Sequence, residues 1–225
     1  MVASGAVIDR EIEATFCFVD MAGYTALTEV HGDKDAAELA ARFVELAKAS
    51  LGPGDTLVKT LGDAVLARCA TPASAVAFLM ALFRRADREP DFPQLRAGLH
   101  HGTAVEREGD VFGAAVNLAA RVAALAHAGQ VLATESVARI ARAERIEVVE
   151  VGLRQLRNIR EPVRVFALAT SVVAQGGAVD PVCRIRVTSD RAVGRLRHGG
   201  EDYWFCSLAC AGAFATSPDT YATRA

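Results

Sequence analysis

No apolar run in this sequence approaches the roughly 20 residues that a membrane-spanning helix needs. Residues 1–10 have no basic stretch leading into an apolar one, so neither a secretory leader nor an anchor is expected there, and the expected location is cytoplasmic. Charge of neither sign dominates. The formal net charge is −2, which removes the electrostatic case for nucleic acid as the main partner. Cysteine is scarce and odd in number, at five. Cys17 and Cys69 sit singly in apolar runs, where inert buried thiols are expected. The other three crowd the last segment. Internal repeats and low-complexity tracts are absent. What remains is a globular composition, 52% hydrophobic and 23% charged, long enough for one substantial domain and a small second one.

Hydrophobic periodicity divides the first 169 residues into alternating strands and helices. Residues 14–19 read as a buried strand and 35–50 as an amphipathic helix, broken by Gly52-Pro53-Gly54. Residues 56–61 and 64–69 are strands around a Gly62-Asp63 turn. A helix with Pro72 at its start is predicted over 71–88, a strand over 95–101, and an Ala-rich helix over 116–127 with Gly129 as its stop. A short strand at 130–133, a helix near 135–143 and a strand at 163–168 complete the pattern. This order fits an α/β (α+β) sandwich. Residues 170–179, small and Gly-containing, read as a linker.

Three separated stretches carry chemistry. Phe18-Val19-Asp20-Met21-Ala22-Gly23-Tyr24-Thr25 ends an apolar strand on a carboxylate just before a helix. Lys59-Thr60-Leu61-Gly62-Asp63 places a second carboxylate in a tight turn. Asp110 through Arg121 sets Asn117 and Arg121 at i and i+4, on one helix face. Taken singly, Asp20 is an N-cap, Asp63 a turn residue, Lys59 a surface lysine, Asp110 a turn residue, and the Asn-Arg pair a solvated stripe. Taken together, two carboxylates can hold two divalent cations while an amide and a guanidinium brace a transition state. That set suits phosphoryl transfer from a nucleoside triphosphate.

These stretches resemble the class III adenylate/guanylate cyclase catalytic domain over about residues 14–168, including the pattern Gly-x-x-Val-Asn-x-x-x-Arg from Gly113 to Arg121. The resemblance implies the ferredoxin-like core of that family, over residues 10–169. It also implies that Asp20 and Asp63 bind two Mg²⁺ or Mn²⁺ ions, that Asn117 orients the ribose, and that Arg121 neutralises charge on the α-phosphate. By the same resemblance, Lys59 and Asp110 read adenine: lysine donates to N1 and aspartate accepts from the exocyclic amine, whereas guanine reverses both edges. The implied reaction is conversion of ATP to cyclic AMP and pyrophosphate, in a homodimer with shared sites. Guanylate cyclase and a silent nucleotide-binding protein of the same fold are the alternatives. A diguanylate cyclase is disfavoured because no Gly-Gly-Asp/Glu-Glu-Phe turn exists. Arg157 stands where the family has a basic triphosphate contact, with Arg154 and Arg160 as rivals. The family's projecting dimer arm is expected to be abbreviated, since little chain separates His101 from Asp110. His100 and His101, as strand neighbours, point to opposite faces and are read as structural.

Residues 180–222 resemble a YHS domain, a small metal-binding module, through Cys183, Tyr203-Trp204-Phe205-Cys206 and Cys210. Arg184-Ile185 departs from that family's common Gly-Met pair. About 42 residues bury little core, so a transition metal at Cys183, Cys206 and Cys210 is one expectation, and three reduced thiols in an aromatic-cored appendage the other. His198 or Asp180 is expected to supply a fourth ligand.

Overall fold

A computed structural model of the chain describes residues 9–169, 178–188 and 190–222. Strands β1 (Arg10–Met21), β2 (Thr56–Leu61), β3 (Ala64–Cys69), β4 (Leu95–Arg107), β5 (Asp110–Phe112), β6 (Val131–Thr134), β7 (Val148–Arg154) and β8 (Val163–Leu168) form one sheet. Its order is β2-β3-β1-β4-β6-β8-β7, with β5 folded back on β4. The first four strands in the order 2-3-1-4, all antiparallel, with helices between β1 and β2 and between β3 and β4, are the ferredoxin-like core. The β4–β6 pair is parallel.

The central strands are apolar on both faces because both faces are covered. Cys17, Val19 and Met21 of β1 face a core built with helices α1 (Tyr24–His31), α2 (Asp33–Lys48) and α3 (Pro72–Arg88). Ala14 and Phe16 face the other way, onto α4 (Ala114–Ala123). Helix α5 (Glu135–Ala143) joins the first layer through Val137 and Ala141. Among the described residues no helix is long and apolar enough to cross a membrane.

Local chemistry accounts for several boundaries. Thr71 caps α3: its Oγ1 accepts from Ser74 N at 3.0 Å, Ser74 Oγ accepts from Thr71 N at 3.2 Å, and Pro72 opens the helix. The β4–β5 hairpin turns on Glu108 and Gly109, both with positive φ (51° and 80°), so the arm is indeed short. Helix α4 starts and stops earlier than its alanine content predicts. The Gly113 turn (φ 140°) already launches it, and it ends at Ala123, before Gly129. Strands β5 and β7, with no long apolar run of their own, were not expected; they form by pairing to β4 and β8.

Helix α4 seats closely on β4. A Cβ built on Gly98 would lie 2.0 Å from the backbone nitrogen of Ala123, and one on Gly102 3.1 Å from Ala115 Cβ. The contact at Gly98 is backbone to backbone, so no side-chain rotation relieves it. Gly98→Ala is expected to destabilise the fold by at least about 2 kcal/mol, read as a lower urea midpoint at unchanged slope. A midpoint within error of the parent would contradict the packing described.

The last segment is not a separate bead. Of the linker reading, residues 170–177 lie outside the described residues, while Ala178–Val179 form strand β9, paired to β10 (Arg186–Val187). A hairpin of β11 (Gly194–His198) and β12 (Glu201–Phe205) follows, then α6 (Leu208–Thr216) and α7 (Pro218–Tyr221). Val182, Cys183, Ile185, Phe205, Cys210 and Phe214 are buried in the same apolar cluster as the α1–α3 layer. A segment too short for its own core thus shares that of the larger domain. Arg186 pairs with Asp87 of α3, and Arg191 with Asp91 at 2.8 Å.

Candidate active site

The carboxylates of Asp20 and Asp63 come together at one end of the sheet. Asp20 shares the face of β1 that carries Phe16 and Phe18 and is 19% exposed. Gly62, at φ 65°, turns the β2–β3 connection so that Asp63 O accepts from Met21 N at 3.2 Å. Burial pushes the Asp20 carboxyl above the usual carboxylate range. Arg96, opposite it in register, pulls it back through an Nε–Oδ2 hydrogen bond of 2.7 Å, and neighbouring Asp63 raises it further. Asp20 is no helix cap. Helix α1 is capped by Gly23 (φ 75°), with no side chain on its first N–H groups. Arg96 was not singled out in the sequence, because its pairing depends on register across two distant strands.

Lys59 and Asp110 meet as well. Lys59 Nζ lies 2.7 Å from Asp110 Oδ2, and Asp110 Oδ1 accepts from Val111 N at 2.7 Å. The hydrogen bond from Lys59 holds the Asp110 carboxyl below its ordinary range. The Lys59 ammonium also lies 5.7 Å from the ring of Phe112, which is 50% exposed.

Asn117 and Arg121 share one exposed face of α4, opposite the fully buried Ala119 and Val122. Both side chains therefore point away from the sheet that carries their own Asp20. Among the described residues neither has a hydrogen-bond or ion-pair partner. Arg157 is exposed on the loop between β7 and β8, as is Arg160, while the exposed Arg154 ends β7, and nothing there ties Arg157 to the carboxylates. His100 and His101 are held by separate hydroxyls, Thr134 Oγ1 at 2.8 Å and Thr15 Oγ1 at 3.0 Å. That is the structural role read for them.

A second cluster lies on the far side of Gly23. The sulfurs of Cys183 and Cys206 are 3.4 Å apart and those of Cys206 and Cys210 3.7 Å. The fourth group is His31, at the end of α1, whose Nε2 is 3.6 Å from Cys206 Sγ and 3.5 Å from Cys210 Sγ. The expectation of His198 or Asp180 is corrected. His198 lies 3.4 Å from Asp219 and packs edge-on against Phe214. Asp180 is fully buried with its oxygens occupied by backbone N–H groups: Val182 at 2.9 Å, Cys183 at 3.4 Å and Cys206 at 2.9 Å. Hydrogen bonds from Cys183, then from Cys206, Ser207 and His31, hold the Cys210 thiol well below the ordinary thiol range. His31 was invisible in the sequence because 152 residues separate it from Cys183.

Comparison with known proteins identifies the family and the fold. The family model for the adenylate and guanylate cyclase catalytic domain matches residues 7–170. A pH-sensitive adenylate cyclase of Mycobacterium tuberculosis is 36% identical over 185 residues, covering 79% of this chain and 47% of that protein. An adenylate cyclase of Streptomyces coelicolor is 36% identical over 128 residues, covering 56% of this chain and 33% of that protein. The chain thus spans less than half the length of these relatives. Among solved structures, the adenylyl cyclase CyaB from P. aeruginosa superposes with a TM-score of 0.64 at 20% identity, covering 76% of this chain and 100% of that one. An adenylate/guanylate cyclase/hydrolase from Silicibacter pomeroyi gives 0.61 at 29% identity, covering 72% and 99%. The chain belongs to the class III adenylate/guanylate cyclase family.

Proposed function

We propose that the protein is an adenylate cyclase, converting ATP to 3′,5′-cyclic AMP and pyrophosphate in sites shared between two copies of the chain. The observation that carries this reading is the division of one reaction's groups over two surfaces. Asp63 neighbours Asp20 at the sheet end and raises its carboxyl, while Asn117 and Arg121 project from the side of α4 turned away from that sheet. A second copy related by a two-fold axis supplies to each carboxylate pair the groups it lacks. Leu61, two residues before Asp63, and Phe112, beside the Lys59 ammonium, are exposed apolar side chains that a second copy can cover.

Membership of the family brings dependence on divalent metal and a nucleotide substrate. The residues present fit such ions: the two carboxylates are neighbours, and Asp63 raises the Asp20 carboxyl, a repulsion that a bound cation relieves. Asp20 and Asp63 would hold two Mg²⁺ or Mn²⁺ ions through oxygen. When bound, these supply the charge that lowers the pKa of the ribose 3′-hydroxyl. The 3′-hydroxyl gives up its proton to solvent and its oxygen attacks the α-phosphorus, the bond to the bridging oxygen of the β-phosphate breaks, and pyrophosphate leaves. Asn117 of the second copy orients the ribose for in-line attack. Arg121 meets the charge gathering on the α-phosphate with planar, permanently charged donors. Arg157 is proposed as a triphosphate contact on the exposed β7–β8 loop.

Lys59 and Asp110 select the base. Their 2.7 Å ion pair holds a donor beside an acceptor, the complement of adenine N1 and N6. Guanine leaves each group facing its own kind, at about 1–3 kcal/mol per unsatisfied group. Initial rates with ATP and GTP test this. The parent should favour ATP, and Lys59→Glu combined with Asp110→Cys should move the ATP-to-GTP ratio at least about tenfold toward GTP. A parent that favours GTP, or a ratio indifferent to the double substitution, would refute the assignment.

A further inference from the structure

We propose that His31, Cys183, Cys206 and Cys210 form one tetrahedral site for a thiophilic ion of the zinc class, and that this ion fastens the C-terminal segment to the helix leading out of the Asp20 turn. Ligand atoms about 2.3 Å from a tetrahedral ion stand about 3.7 Å from one another. Four of the separations here are 3.4, 3.5, 3.6 and 3.7 Å. All four donor atoms lie within 4.8 Å of each other. Three sulfurs and an imidazole suit a soft or borderline ion rather than the oxygen-seeking ions proposed at Asp20. Backbone N–H groups on the Asp180 carboxylate hold the Cys183 and Cys206 turns in place. His31 and Cys206 also line a cavity of about 720 Å³ beside α2 and the end of α3, which gives the ion a route of exchange.

The site bridges the two parts of the chain. His31 closes α1, whose first residue, Tyr24, lies four positions after Asp20. The Cys183–Arg184 turn presses on Gly23: a Cβ there would lie 2.9 Å from Arg184 Cγ and 3.4 Å from Cys183 O. Ala22 N donates to Gln94 O at 2.8 Å, and Gln94 N donates to Arg184 O at 3.1 Å, two residues before Arg96. The segment thus touches both strand ends that position Asp20 and its ion-pair partner. Binding of the ion orders the Asp20 turn, and its removal loosens it. The consequence for turnover rests on the role proposed for Asp20; the metal site does not.

The test uses the full-length chain titrated with Co²⁺. One ion per chain is expected, with the intense d–d absorption of tetrahedral cobalt and thiolate-to-cobalt charge transfer. His31→Ala should shift the d–d bands and weaken binding by more than the roughly 10–100-fold typical of losing a group that only orients a ligand. His31→Cys should restore affinity with a four-thiolate spectrum, which separates a ligand role from a folding role. Hydrogen exchange across residues 21–31 should slow on metal binding in the parent and in His31→Cys. Absence of thiolate charge transfer in the parent would overturn the site. Unchanged affinity and spectrum in His31→Ala, or exchange in 21–31 indifferent to the ion, would overturn the fastening. None of these readouts depends on cyclase activity.

Discussion

Asp20→Ala and Asp63→Ala should each lower turnover by about a thousandfold or more, since the lost metal charge is worth several kcal/mol of transition-state stabilisation. The fold should survive both changes. Asp63 sits on a turn whose sheet contact is made by its backbone oxygen, and Ala keeps that contact. Asp20 leaves behind Arg96, whose side chain is 38% exposed and therefore hydrated. Thermal unfolding should stay close to the parent in both variants, so the loss reads as chemistry. Near-parent kcat in either variant would remove the two-carboxylate site from the account.

Mixing two dead variants should bring activity back. Asp20→Ala homodimers lack the metal carboxylate in both sites, and Asn117→Ala homodimers lack the ribose contact in both. A mixed dimer joins the intact Asp20 of one copy to the intact Asn117 of the other in one of its two sites. With random exchange at equal amounts, half the dimers are mixed, so about a quarter of all sites are complete. The recovered rate should approach that fraction of the parent rate. Samples that demonstrably exchange subunits yet stay inactive would show that each chain builds its site alone. The outward face of α4 is what makes complementation the expectation: Ala119 and Val122 on the opposite side are buried completely against the sheet.

Much of the catalytic domain was legible because local signals and tertiary packing agree there. The apolar run in β1, the Pro72 start of α3 and the Gly62-Asp63 turn each specify their own structure. The paired helix positions of Asn117 and Arg121 likewise require only the helical period. Other features depend on neighbours that no local window contains. Strand β7 is a strand by virtue of β8, and Arg96 belongs to the site by its register with Asp20. The seat of α4 follows from a glycine, Gly98, that sits sixteen residues before the helix begins. The clearest miss is the fourth donor of the cysteine cluster. Within residues 180–222 alone, His198 and Asp180 are the donors on offer. The shared core instead draws the cysteines onto α1 and its His31.

Product analysis shows whether the chain carries out this one reaction. The purified full-length chain, incubated with ATP and Mn²⁺, should release 3′,5′-cyclic AMP and pyrophosphate in equal amounts. The reaction should stop on addition of a chelator of divalent ions and resume when Mn²⁺ is restored in excess. Release of ADP or AMP in place of the cyclic product, or no turnover of ATP by a folded dimer saturated with Mn²⁺, would contradict the account.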